Sequence, residues 1–246
     1  MGKLAAGVRI EGEDLSDADW ADAALEDLTL TDCRIQGAVL SNTTLAGARL
    51  SRCRLIGCRF PHADLREATI EDCVFAGPEG APGPVFAFTR LEEARFARCD
   101  LRRAVFEGAE MHGVGMDACN LMGARFHRVS FARSFGRSVV RVAANLTDCN
   151  LELADLTQVR LPGGVLARSR LREADLSQAD LEGADLTGAD LFQAIVDEAR
   201  LAGADLRGGE VSGLDLRRLA TYDGLKVTAD QQYRLLEAMG IDVHPD

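Results

Sequence analysis

From Ile10 onward, every fifth residue of this chain is large and apolar. The first run comprises Ile10, Leu15, Trp20, Leu25, Leu30, Ile35, Leu40, Leu45, Leu50, Leu55, Phe60, Leu65, Ile70 and Phe75. A second run, one register later, begins at Phe86 and passes through Leu91, Phe96, Leu101, Phe106, Met111, Met116 and Leu121 to Leu216. The runs hold 14 and 27 positions, and only Gly136 and Arg141 among them are not large and apolar. A helix repeats every 3.6 residues and a strand every 2.0. Neither would keep these positions on one side. A chain that turns a corner every five residues would, with the large side chains pointing to its axis.

The residue two places earlier is small, as at Ala63, Ala68, Ala174, Ala179, Ala184 and Ala189. The residue between is often Asp or Asn, as at Asp64, Asn120, Asp175 and Asp185. The remaining two positions carry most of the Arg, Glu, Ser, Thr and Gln, as expected of a water-facing side. Such Ala-Asp-Leu-x-x units resemble the pentapeptide-repeat family over roughly residues 8–218. The resemblance implies an all-β solenoid, a right-handed quadrilateral β-helix with four pentapeptides per coil. At the ~4.8 Å spacing of neighbouring strands, about ten coils make a rod of roughly 50 Å.

Two segments interrupt the pattern inside this 1–218 solenoid. The register slips between Phe75 and Phe86, where residues 77–84 hold three of the six prolines, so an ejected loop is expected there. Around residues 134–141 the frame survives, but Gly136 and Arg141 fill core positions poorly. A bulged or kinked coil is expected, with Phe135 and Val140 slipping inward. Beyond Leu216 the period stops. Thr228 and Gln231 have the spacing of a capping box, and a short helix over about 229–239, closed by Gly240, is expected to cover the last coil. In this 219–246 segment Leu225, Val227, Tyr233, Leu236, Met239 and Ile241 supply apolar surface, expected to join two chains tail to tail, as the resemblance to dimeric family members also implies.

All seven cysteines (33, 53, 58, 73, 99, 119, 149) occupy the small inward position. Cys33, Cys53 and Cys73 are one coil apart, and if the loop ejects six residues Cys99 and Cys119 continue the column. A buried thiol serves there as a small apolar filler. No Cys-x-x-Cys or Cys/His spacing suggests zinc, and neither a metal nor another cofactor is expected. Of the four histidines, three lie at outward positions. No nucleophile elbow, phosphate-binding loop or dinucleotide fingerprint occurs, so no catalytic residues are assigned and an enzyme is not expected.

Net charge is −11, which disfavours direct binding of nucleic acid or anionic membrane. No 18-residue apolar run is present, and the first nine residues lack a signal-peptide core. Free, odd-numbered thiols fit a reducing compartment, so the expected location is the cytoplasm. Residues 11–32 hold nine acids and no base, and residues 173–198 hold eight acids and no base. Some relatives within the family, the quinolone-resistance proteins, imitate duplex DNA and bind type II topoisomerases such as DNA gyrase. The resemblance therefore implies a gyrase-binding, DNA-mimicking rod that modulates the enzyme or protects it from quinolone-type poisons. Glu173, Asp175, Asp180, Glu182, Asp185 and Asp190 would meet the basic DNA-binding surface, with Glu79 on the loop as a second contact. The competing expectation is an interaction scaffold for another partner, because fold alone does not give function.

Overall fold

Cross-coil hydrogen bonds convert the five-residue period into a four-sided β-helix. In the computed structural model, which describes residues 4–135 and 139–244, large inward residues donate their N–H to the coil above. Leu25 N bonds Thr44 O at 2.8 Å and Leu151 N bonds Arg170 O at 2.7 Å. One face is a parallel sheet of seven short strands, from Arg9–Glu11 to Ala144–Thr147, extended by single bridges to Lys226. Along it Ile10, Leu30, Leu50, Ile70, Phe96, Met116, Leu146, Leu166, Leu186 and Leu206 stack one above another. We number this face 1. Face 2 runs from Asp14 through Arg34 and Arg54 to Glu210, face 3 from Val39 to Ile195, and face 4 from Ala24 to Ser130 and on through Arg160 to Thr221.

The interior is one continuous column of Leu, Ile, Phe and Met flanked by Ala and Cys. On face 3 Phe60, Phe86, Phe106 and Phe126 stack at centroid distances of 4.8, 5.0 and 4.9 Å. Where the small inward residue is polar, it donates to the large residue's carbonyl one coil back: Thr43 to Trp20 O, Thr89 to Phe60 O and Ser169 to Leu146 O. Thiols do the same, Cys33 to Ile10 O and Cys99 to Ile70 O. The thiol column includes one more member than the expected five, because Asn120 pairs with Asn150 and so seats Cys149 above Cys119. All seven cysteines are free and buried.

The corners are built by two positions. The Asp or Asn before the large residue accepts the N–H two residues on, as Asp64 does from Arg66 and Asp175 from Ser177, a local turn that short polar side chains favour. The second outward residue takes the left-handed conformation. It is glycine at many coils, but among the described residues 22 non-glycines also hold φ near +55°, Leu153 and Glu173 among them.

Both interruptions leave the coil. Ile70 pairs with Phe96, 26 residues on, so residues 77–84 swing out between faces 2 and 3 while Phe75 and Phe86 both stay in the core. At the second site the expected bulge is replaced by a hairpin. Strands Ala132–Phe135 and Val139–Val142 pair antiparallel, and Met116 pairs with Leu146. Ten residues are thus removed from the coil. That is two whole repeats, which is why the frame seemed to survive. Phe135, Val140 and Arg141 belong to hairpin strands rather than to coils, and Gly136 lies outside the described residues.

Helix α1 (Ala229–Ala238) closes the last coil. Gln231 is buried and plugs it: its amide donates to Leu206 O and Gly209 O at 2.7 and 2.8 Å, while its carbonyl accepts the Thr228 N–H at 2.7 Å. Leu235 is the buried apolar contact.

Candidate functional site

The acidic stretch 173–198 does not form one patch. Five residues carry the chain round one corner, so Asp175 sits on face 3, Asp180 on face 4, Asp185 on face 1 and Asp190 on face 2. Each uses one carboxylate oxygen to accept a corner N–H, from Ser177, Glu182, Thr187 and Phe192. The other oxygen remains for a partner, except where an arginine takes it. Arg172 bonds Asp190 at 3.0 Å while lying over the Phe192 ring, and Arg200 bonds Glu182 at 3.0 Å. Glu173 is exposed on face 2, and Glu79 is exposed on the 77–84 loop.

Face 4 concentrates acid more than the sequence suggested. Its coils carry Glu26, Asp27, Asp64, Glu67, Glu92, Glu93, Glu110, Asp180, Glu182 and Asp223 against Arg66, Arg90, Arg160 and Arg200. Between it and the root of the hairpin lies a cavity of about 440 Å³ whose lining mixes Glu67, Glu92, Glu93 and Glu110 with Arg66, Arg90 and Arg133 beside His112. These acids are remote in sequence; the signal that unites them is a separation of one coil, 20 residues or 26 across the loop. Two arginines span this face, Arg66 bound to Asp64 at 2.6 Å and Arg90 at 3.4 Å from the same carboxylate.

The histidines correct one expectation. His112, at an outward position, is nonetheless buried where the chain enters the hairpin, its Nδ1 3.1 Å from Phe131 O. His62 stacks on the exposed Phe88 at 5.3 Å, and His127 Nε2 lies 2.8 Å from Asp155. Among the described residues no group of His, Cys, Asp or Glu could hold a metal ion. No helix among them is long and apolar enough to cross a membrane. Burial pushes the Cys58 thiol up to about 11.

At the C-terminal end, Tyr222, Val227, Tyr233 and Ile241 are exposed. Leu236 and Met239 are half-buried. Leu225 instead packs against the core.

The pentapeptide-repeat model matches the chain in eight copies, over residues 33–72, 89–128, 149–188 and 184–218. The chain belongs to the pentapeptide-repeat family. Among solved structures it is similar to full-length QnrB1, a plasmid-mediated fluoroquinolone resistance protein, with a TM-score of 0.77 and 26% identity over 89% of this chain and 100% of that one. A trypsin-treated variant of QnrB1 aligns with a TM-score of 0.71 and 25% identity over 98% of each chain. A search of curated protein sequences finds no match. As a pentapeptide-repeat protein, the chain presents stacked coils whose outward residues align in columns one coil apart.

Proposed function

We propose that this protein is a cytoplasmic DNA mimic that binds a type II topoisomerase, DNA gyrase, and modulates it or protects it from quinolone-type poisons. The observation that carries the reading is the alignment with a fluoroquinolone resistance protein over that protein's whole length. The acidic columns support it, since a rod of about ten coils at ~4.8 Å carries carboxylates along its whole length, though spaced more widely than the phosphates of a duplex. The mimic presents a whole circumference, with face 4 as the densest side and Asp175, Asp180, Asp185 and Asp190 ringing the coils near the cap. Pairing through Tyr233, Leu236, Met239 and Ile241, with Val227 at the rim, would place that ring near the centre of a homodimer.

The test is a supercoiling assay with purified gyrase, with and without a fluoroquinolone, while this protein is titrated in. A shift in supercoiling or in poison-induced cleavage supports the reading. The triple variant Asp180→Asn, Asp185→Asn, Asp190→Asn keeps the corner acceptors and removes three charges. Unchanged gyrase affinity in that variant contradicts mimicry. A specific observation favours the scaffold alternative: many outward acids are already matched by arginines one coil away, as at Asp148–Arg168 and Asp72–Arg98. A non-topoisomerase partner would then use local features instead of overall charge.

A further inference from the structure

Residues 33–63 carry five arginines (34, 49, 52, 54 and 59) and no carboxylate. The coil winds them into a basic belt near the N-terminal end of a rod whose net charge is −11. On face 2 the register sets Arg34 directly beside Arg54. Elsewhere the solenoid tends to set arginine against acid, as in Asp64–Arg90–Glu110 and Arg160–Asp180–Arg200. Like charges facing each other on neighbouring strands destabilise the pair. Here little relieves it: Arg34 donates to the Gln36 amide oxygen and its nearest carboxylate is Asp14 at 3.9 Å, while Arg54 has no side-chain hydrogen bond or ion pair among the described residues.

Beside this pair runs a cleft of about 540 Å³ with an apolar floor of Ile56 and Val74; Arg102 also borders it but is paired with Asp100 at 2.7 Å. The ejected loop walls one side through Pro78, whose carbonyl accepts from Arg103 at 3.3 Å. The cationic window is short. Glu13, Asp14 and Asp17 lie on the coil before it, and Asp100 lies beyond Val74 on the same face. A nucleic-acid strand, with its closely spaced phosphates, would run onto those carboxylates. An anion of limited length with apolar groups would not.

We propose that this cleft docks a short acidic-aliphatic segment of a partner protein. One carboxylate bridges Arg34 and Arg54, and an adjacent aliphatic side chain lies on Ile56 and Val74. This contact has the opposite polarity to topoisomerase binding and does not depend on it.

The test is fluorescence anisotropy of the full chain with a fluorescein-labelled Glu-Leu-Asp-Leu-Glu-Leu-Asp peptide. Saturable binding is expected, about tenfold weaker in the Arg34→Glu, Arg54→Glu variant, because charge-assisted hydrogen bonds are lost. Ile56→Ser is expected to weaken binding, and Arg160→Glu on face 4 to leave it unchanged. Melting curves check folding; if the double reversal does not fold, Arg54→Gln takes its place with a smaller loss of affinity. Absence of saturable binding, equal affinity in the arginine variants, full displacement by millimolar inorganic phosphate, or tighter binding of a single-stranded oligonucleotide would each overturn the proposal.

Discussion

Replacing Phe106 by leucine measures how far one coil depends on its neighbours. Phe106 is fully buried, with the Phe86 and Phe126 rings at 5.0 and 4.9 Å and inclined by 7° and 15°. Offset stacks contribute about 0.5–1.5 kcal/mol each beyond area burial, so two lost stacks cost about 1–3 kcal/mol. Imperfect filling by leucine adds roughly 1 kcal/mol. Phe106→Leu is therefore expected to destabilise by about 2–4 kcal/mol in urea titration. Because coils touch only their neighbours, the loss is local. Hydrogen exchange should quicken at residues 85–127 and stay unchanged around Leu186 and Leu206. A loss below about 0.5 kcal/mol, or quickened exchange spread evenly to Leu206, would refute the neighbour-only account.

Further outcomes are expected at the cap and the corners. Gln231→Ala orphans the Gly209 carbonyl and removes the capping box, costing about 2–4 kcal/mol locally; trypsin should then cut at Arg234 while the coils stay resistant. Ser212, through its hydroxyl and N–H, and then Arg234 hold the Glu210 carboxyl at about 2, below the ordinary 4.5. Its stabilisation is complete above pH about 4.5 and lost as pH falls through about 2. The difference in melting temperature between the native chain and Glu210→Gln should shrink across that window, and a constant gap would contradict it. Asp175→Ala should cost about 1 kcal/mol, because the Ser177 N–H loses its acceptor, and Asp175→Asn much less; equal losses in thermal melts would count against the corner role. The native thiols should resist Ellman's reagent at pH 8 and react fully in urea, since all seven are buried; rapid native labelling would argue against the closed interior.

The solenoid was legible because its signal is a distance along the chain, and that same arithmetic hid two features. The loop at 77–84 adds six residues to its coil, which shifted the frame by one and announced itself. The hairpin removed ten residues, a multiple of five, so only the unsuitable Gly136 and Arg141 hinted at it. The acids of 173–198 looked like a cluster because the sequence is linear, whereas each step of five residues rotates the next acid to a new side. Their true neighbours, such as Asp155 for Asp175 and Asp205 for Asp185, lie one coil away. The left-handed corner was written in the glycines at 37, 47, 57 and 183, yet arginines, glutamates and Leu153 adopt the same conformation and carry no such signature.

The division of labour within each repeat has a consequence for how such a molecule changes over generations. Two residues in five fix the interior and three meet solvent. Substitution along an outer column that keeps the corner acceptor and the left-handed turn can therefore redraw the electrostatic relief of the rod without repacking it. Selection is free to rewrite what the molecule is recognised by while the scaffold beneath is inherited intact.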